Sequence, residues 1–225
     1  MNLSVIVDFD ETITKQNVAH YLFDKFAPQI TREYRKSYKD GVITFREYQE
    51  KGFNALHQPL DVINAVVESE INIRDGFIEM VEYLSSINAQ LTIASLGLDF
   101  YIDPVLQSVG LNQLNKQCAT GKLSDNNNYS FCFEYPTLST KCDGEWGVCK
   151  CEIIAKQEEG LFTIFVGDGL GADVCISRKV DYVFARGKLL EHCKMNGIPA
   201  VKFENFTPIV EFIGKWMKET DGLNL

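Results

Sequence analysis

Four short runs in this chain are apolar almost without interruption: Leu3–Val7, Leu91–Ala94, Phe162–Val166 and Tyr182–Ala185. A strand with one wet face alternates apolar and polar residues, whereas a strand buried on both faces does not. Runs of this length, rich in β-branched and aromatic residues, therefore predict strands of a sheet covered on both sides. Helix-forming stretches lie between and after them. Gly76–Ile87 is one, with Phe77, Met80, Val81 and Leu84 on one face, and Pro208–Lys218 is another. Strands alternating with helices predict an α/β fold: a Rossmann-like parallel sheet flanked by helices.

The spacing of the runs is uneven. About 80 residues separate Val7 from Leu91, several times the dozen or so that one crossover needs. That interval is mostly helix-forming, with Asn17–Phe26, Thr31–Tyr38 and a stretch from Thr44, where Thr44 and Glu47 make a capping-box pattern. It predicts a small helical cap domain, residues 15–74, inserted into a core of residues 1–14 and 75–225. A second insert, about Asn112–Pro136, has Asp125-Asn126-Asn127-Asn128 between Thr120–Leu123 and Tyr129–Phe133. It predicts a β-hairpin.

Charge narrows the partners. The chain has 22 basic and 31 acidic residues, a formal net charge of −9, and no compact Lys/Arg cluster. That argues against a nucleic-acid partner or an anionic membrane surface. No apolar run approaches the roughly 20 residues of a spanning helix, and Met1-Asn2-Leu3-Ser4 has no basic, signal-like start. Seven cysteines, an odd number, predict thiols in a reducing cytoplasm. Cys142, Cys149 and Cys151 fall short of a structural zinc set, and His20, His57 and His192 are too scattered for a catalytic role. The expected assembly is a monomer or homodimer.

In open α/β sheets, ligands gather at the carboxyl ends of the strands. The first run leads into Asp8-Phe9-Asp10-Glu11-Thr12, the second into Ser95-Leu96-Gly97, and the third into Gly167-Asp168-Gly169. Asp8 and Asp10, two apart on an extended strand end, would point the same way. Alone, such a pair reads equally as solvated loop acids or a helix cap. Asp168 and Asp173 add carboxylates at the same edge, and an oxygen-rich, histidine-free cluster suits Mg²⁺.

Taken together and in this order, Asp8-Phe9-Asp10-Glu11-Thr12-Ile13-Thr14, Ile93-Ala94-Ser95, Lys150, and Gly167-Asp168 with Asp173 resemble the four motifs of the haloacid dehalogenase superfamily of aspartyl phosphatases. The resemblance covers essentially the whole chain, cap included. It implies that Asp8 is the nucleophile and that Asp10 is the acid–base group. It also implies that Asp8, the Asp10 backbone carbonyl and Asp168 hold Mg²⁺, with Asp173 beside the metal. Ser95, Lys150 and the N–H groups of Leu96 and Gly97 would bind the phosphoryl oxygens. Thr12 would orient Asp10 or tie down the phosphate loop. Two positions depart from the common pattern: Ala172 stands where many relatives have the last acid, and Leu96 follows the motif serine.

Ser95-Leu96-Gly97-Leu98-Asp99-Phe100-Tyr101-Ile102, Ile73-Arg74-Asp75-Gly76-Phe77 and Asp181–Arg186 are similar to segments of the 2-hydroxy-3-keto-5-methylthiopentenyl-1-phosphate phosphatases of methionine salvage. That likeness implies a small phosphorylated metabolite as substrate. Phosphoethanolamine and phosphocholine phosphatases share the opening motif but carry acids where this chain has Ala19 and His20. Phosphoserine phosphatases use a Glu near Asn17 that is missing here. A phosphomutase and a non-catalytic phosphate-binding protein on the same fold complete the alternatives. Tyr21, Arg46 and Tyr48 are the cap candidates for selecting a substrate, and Trp146, Phe100 and Tyr101 could line an apolar pocket or simply pack.

Overall fold

All five residues of Leu3–Val7 are buried, and successive side chains serve opposite faces. Val5 and Val7 belong to one apolar cluster, while Ile6 joins another with Phe165, Ile176 and Leu189. A run flanked by core on both sides gives a polar residue no way to reach water, hence its near-continuous apolarity; the one exception, Ser4, is buried and accepts from the Gln157 amide at 2.6 Å. The computed structural model of the chain describes residues 3–124, 129–136, 146–157 and 160–222.

Seven strands form one sheet: β1 (Leu3–Val7), β2 (Gln90–Leu98), β3 (Asn115–Leu123), β4 (Phe131–Glu134), β5 (Phe162–Gly167), β6 (Tyr182–Ala185) and β7 (Val201–Lys202). Their order is β4-β3-β2-β1-β5-β6-β7. Every neighbouring pair is parallel except β3 with β4. With helices on both faces, this is the α/β, Rossmann-like arrangement that the apolar runs predict.

Between β1 and β2 lie α1 (Val18–Phe26), α2 (Pro28–Lys39), α3 (Phe45–Asn54), α4 (Leu60–Glu70) and α5 (Phe77–Ser86). Local chemistry starts each of the first three. Asn17 accepts from the His20 N–H, Pro28 opens α2, and Thr44 and Glu47 form the expected reciprocal capping box. Phe77, Met80, Val81 and Leu84 of α5 are buried, as their spacing predicts. The segments on either side of α1–α4 run together: Lys15 N–H donates to the Asn72 carbonyl (2.8 Å) and Arg74 N–H to the Ile13 carbonyl (2.7 Å). Gly76 then turns the chain at φ +82°, a conformation that favours glycine. Beyond β2 come α6 (Asp99–Ser108), α7 (Cys151–Ala155), α8 (Ala172–Ser177), α9 (Gly187–Met195) and α10 (Thr207–Gly222). Among the described residues no helix is long and apolar enough to cross a membrane.

Two features go beyond these expectations. The expected β-hairpin is present, and its first strand begins inside the main sheet: Asn115, Lys116 and Gln117 of β3 pair in parallel with Thr92, Ile93 and Ala94. Only Thr120–Leu123 turns to pair antiparallel with β4, and Asp125–Asn128, the expected hairpin tip, lies outside the described residues. Near the sheet edge β3 is largely half-exposed, so its polar Asn-Lys-Gln start carries no apolar run. The second concerns helices without a strong stripe. α4 buries only Ile63 and Val67, and α6 carries Pro104 inside it. Neither stands out by period.

Candidate active site

The chain leaves β1 through Asp8, still extended, and enters a short π-helical turn, Phe9–Ile13. Within it Asp10 is extended and Glu11 takes a left-handed backbone at φ 58°, uncommon for a residue with a side chain. Arginines hold that turn in place. Arg74, buried, donates to the carbonyls of Thr12 (2.7 Å), Glu11 (2.7 Å) and Thr14 (3.1 Å), and Arg186 donates to the Glu11 carbonyl as well.

Asp8 and Asp10 end in different environments. The Lys150 ammonium, 1% exposed, lies between two carboxylates, 2.5 Å from Asp8 Oδ1 and 2.6 Å from Asp173 Oδ1. Burial raises the Asp8 carboxyl well above its ordinary value, and Lys150 opposes the rise. Burial alone would lower Lys150, but Asp173 and Asp8 outweigh it and raise the ammonium's pKa. Asp10 turns away from this cluster. Its Oδ1 accepts from the Val18 N–H (2.6 Å) and its Oδ2 from the Tyr101 hydroxyl (2.9 Å). Burial pushes Asp10 up to about 6 against those two donors.

Asp168 follows β5. Asp173, at the first turn of α8, accepts from the N–H groups of Asp168 (3.3 Å) and Gly169 (3.0 Å) through Oδ2. One oxygen each of Asp8, Asp168 and Asp173 lie within 4.8 Å of one another. Burial, then the charges of Asp173 and Glu11, push Asp168 up to about 7. Among the described residues no basic group forms an ion pair with Asp168; its carboxylate accepts from the Thr12 hydroxyl at 3.0 Å. Thr12 therefore touches Asp168 and not Asp10, and it stands behind the acid rather than in the cavity wall.

Ser95 sits where β2 loses register with β3, between Ala94 and Leu98. Its Oγ accepts from the Gly97 N–H at 2.9 Å. Leu96 and Gly97 thus belong to the irregular strand end and precede the start of α6 at Asp99, so they are not helix-start amides. Gly97 must be small: a Cβ there would lie 2.0 Å from the Tyr101 hydroxyl oxygen.

Asp8, Asp10, Ser95, Leu96, Gly97, Lys150, Asp168 and Asp173 all line one cavity of about 170 Å³ between the sheet edge and the inserted helices. Phe23, Phe45, Tyr48, His20 and Gln49 close its far side. Of the three cap candidates the structure brings only Tyr48 to the cavity. Tyr21 bonds Glu70 between α1 and α4, and Arg46 lies over the Tyr135 ring. Trp146 packs on Phe45, and Phe100 stacks on Phe131. Cys149 and Cys151 are buried, with the Cys151 sulfur 2.9 Å from that of Cys175, and Cys142 lies outside the described residues.

Tyr101 lines the cavity, one of the two outcomes open to it in the sequence, but the sequence did not show the part its hydroxyl plays, nor that Gln49 and His20 are cavity residues. Tyr101 stands near the start of a helix just past Ser95, which was the available signal. Nothing in its spacing separates a ring that packs from one whose hydroxyl reaches an acid.

Comparison with known proteins agrees with this geometry. The sequence profile of the family described as Putative Phosphatase matches residues 3–210. A 2-hydroxy-3-keto-5-methylthiopentenyl-1-phosphate phosphatase of Bacillus cereus (strain B4264) is 27% identical over 213 residues, covering 93% of this chain and 94% of the relative. The protein of the same name from Bacillus thuringiensis (strain Al Hakam) is 28% identical over 210 residues, covering 92% and 93%. Among solved structures, a phospho-aspartyl intermediate analogue of phosphoserine phosphatase superposes with a TM-score of 0.68 at 19% identity, over 94% of this chain and 98% of that one. A haloacid dehalogenase family hydrolase from Salmonella enterica reaches 0.73 at 14% identity, over 92% and 69%. The chain is a phosphoric monoester hydrolase that belongs to the Putative Phosphatase family and has the fold of the haloacid dehalogenase hydrolases.

Proposed function

We propose that this chain hydrolyses a small-molecule phosphomonoester with Mg²⁺ through an aspartyl-phosphate on Asp8, and that residues 15–74 act as its cap. One observation carries the reading. A buried nucleophile candidate, Asp8, shares a cavity with an acid held apart from it, Asp10, and with an ammonium, Lys150.

The donor set fits a hard divalent cation. Three carboxylate oxygens face one another without a histidine or thiol, and Lys150 neutralises Asp8 and Asp173, while Asp168 accepts from the Thr12 hydroxyl and has no ion-pair partner among the described residues. Asp8, the Asp10 backbone carbonyl and Asp168 would hold Mg²⁺, with Asp173 beside it, and the ion when bound screens the repulsion between carboxylate and phosphate. The Asp8 oxygen would then attack phosphorus as the bond to the leaving oxygen breaks. Asp10 would give its proton to that oxygen, then take one from the water that hydrolyses the intermediate. Lys150 would hold a phosphoryl oxygen. Ser95, whose oxygen already accepts from Gly97, keeps its own proton to donate to another.

The relatives' name supports 2-hydroxy-3-keto-5-methylthiopentenyl-1-phosphate as the substrate. The inserted helices support a substrate without an ammonium group, since Ala19, His20, Phe23, Phe45, Tyr48 and Gln49 bring no carboxylate to the wall, and Glu11, which lines the cavity from the turn after β1, already accepts from Asn17. The cysteine count supports a reducing cytoplasm. The decisive experiment is a phosphate-release screen with Mg²⁺ over the methionine-salvage ester, phosphocholine, phosphoethanolamine, phosphoserine and 4-nitrophenyl phosphate. Release is expected, greatest for the methionine-salvage ester. No release from any of them would favour a binding protein, and an isomerised product without free phosphate would favour a mutase.

A further inference from the structure

Gln49 carries a buried acceptor with no donor. The residue is 4% exposed, lies in α3 and lines the cavity. Its Nε2 donates to the Leu96 carbonyl at 2.9 Å, across from the inserted helices to the sheet edge. A carbonyl only accepts, so this bond fixes which end of the amide is which. The other end, Oε1, is sealed from solvent and has no hydrogen-bond partner among the described residues.

Native proteins pair nearly all buried polar atoms, so an orphan beside a ligand cavity points to a partner that arrives with the ligand. Two polar side chains nearby already have partners. The Asn17 side chain takes the His20 N–H and reaches Glu11, and the Tyr48 hydroxyl accepts from Arg35 at 3.3 Å. Around Gln49 the wall is aromatic, with Phe23, Phe45 and Tyr48. Leu96 is the other half of the arrangement, because it follows Ser95 in the segment that faces the phosphoryl group. One amide therefore joins the inserted helices, the phosphate end of the cavity and an unfilled acceptor.

We infer that Gln49 is a specificity-determining residue: Oε1 accepts a hydrogen bond from a hydroxyl of the substrate while Nε2 ties the cap to the Leu96 carbonyl. The substrate class is then a phosphomonoester that carries a neutral hydroxyl near its phosphate and an apolar tail against Phe23, Phe45 and Tyr48. This rests on the phosphatase reading above and adds the group that the cap recognises.

The test compares pentyl phosphate with racemic 2-hydroxypentyl phosphate, which share phosphate and tail and differ by one hydroxyl, in the full-length enzyme with Mg²⁺. Wild type should favour the hydroxyl ester in kcat/KM by about tenfold or more, as sites built to bond a hydroxyl do. Gln49→Met, of similar shape but without the amide, should bring that ratio close to one, whatever its absolute rate. Equal kcat/KM for the two esters in wild type would overturn the inference even if the variant fails to fold, as would an unchanged ratio in folded Gln49→Met. Turnover of 4-nitrophenyl phosphate without turnover of the hydroxyl ester would overturn it too and leave the phosphatase reading standing. No turnover of any of these three esters, nor of any ester in the screen above, would overturn both.

Discussion

The hydroxyl of Tyr101 donates a 2.9 Å hydrogen bond to Oδ2 of Asp10, so a helix that follows β2 positions the acid that follows β1. Tyr101 is fully buried, and the Val18 N–H is the other donor to the same carboxylate. Replacing Tyr101 with Phe keeps the ring and removes one of the two donors. A hydrogen bond to a charged group contributes about 1.5–3 kcal/mol, so Tyr101→Phe should lower kcat by roughly tenfold to a hundredfold. Steady-state kinetics beside a melting curve will separate this from loss of fold. An unchanged kcat would mean that the bond has no part in turnover.

Gly97→Ala should damage the same bond from the other side. Its Cβ would stand 2.0 Å from the Tyr101 oxygen and 3.0 Å from Ser95 Oγ, and a buried tyrosine has no room to retreat. The expected result is a loss of activity at least as large as in Tyr101→Phe, with a melting temperature lowered by several degrees, roughly what 1–3 kcal/mol of overpacking costs. A variant with wild-type melting and turnover would show that Tyr101 can move freely.

Asp8→Asn should fold and lose turnover by about a thousandfold or more, since the amide is a poor nucleophile toward phosphorus. Lys150 keeps Asp173 as its ion-pair partner, 2.6 Å away, which limits the structural damage. Near-normal phosphate release from a folded variant would remove Asp8 from the chemistry.

Mg²⁺ should stabilise the fold as well as support turnover. A ligand at a hundred times its Kd adds about 2.7 kcal/mol, visible as a raised melting temperature that EDTA abolishes. Asp168→Asn should lose most of that rise, because Asp168 is the carboxylate of the group that Lys150 does not pair. A full Mg²⁺-dependent rise in this variant would place the metal elsewhere.

His20 makes a prediction with a definite sign. Burial first, then the nearby Arg35 guanidinium, lower it to about 4 from its ordinary 6.5. Between those values the unfolded chain binds a proton that the folded chain refuses, so this residue makes stability fall as the pH falls. Asp10, raised to about 6 from 3.8, acts in the opposite sense over much of the same window. The two are separated by difference. Relative to His20→Gln, wild type should lose stability steadily from pH 6.5 to 4 in urea denaturation. A difference that stays level would mean that His20 titrates normally in the fold.

How much of this was legible in the chain depends on what each residue answers to. β1, β5 and β6 were readable because strands buried on both faces must be almost wholly apolar, a condition written in consecutive residues. β3 was not, since its early residues are half-exposed and polar and owe their conformation to pairing with Thr92–Ala94. Asp8, Asp10, Ser95, Lys150 and Asp168 were readable as a set through their motif order, and all five line the cavity.

The linear order of residues by itself determined the α/β layering, the long helical insert and the acids at the strand ends, because burial, helix caps and strand ends are local requirements. Only the tertiary structure decided which groups those acids meet. It set Lys150 between Asp8 and Asp173, gave Asp10 to Tyr101, turned Thr12 to Asp168 and left the Gln49 oxygen without a donor. Those pairings join residues as far apart in the chain as 12 and 168, and hydrogen bonds and ion pairs depend on separations of a few ångströms that chain position does not encode.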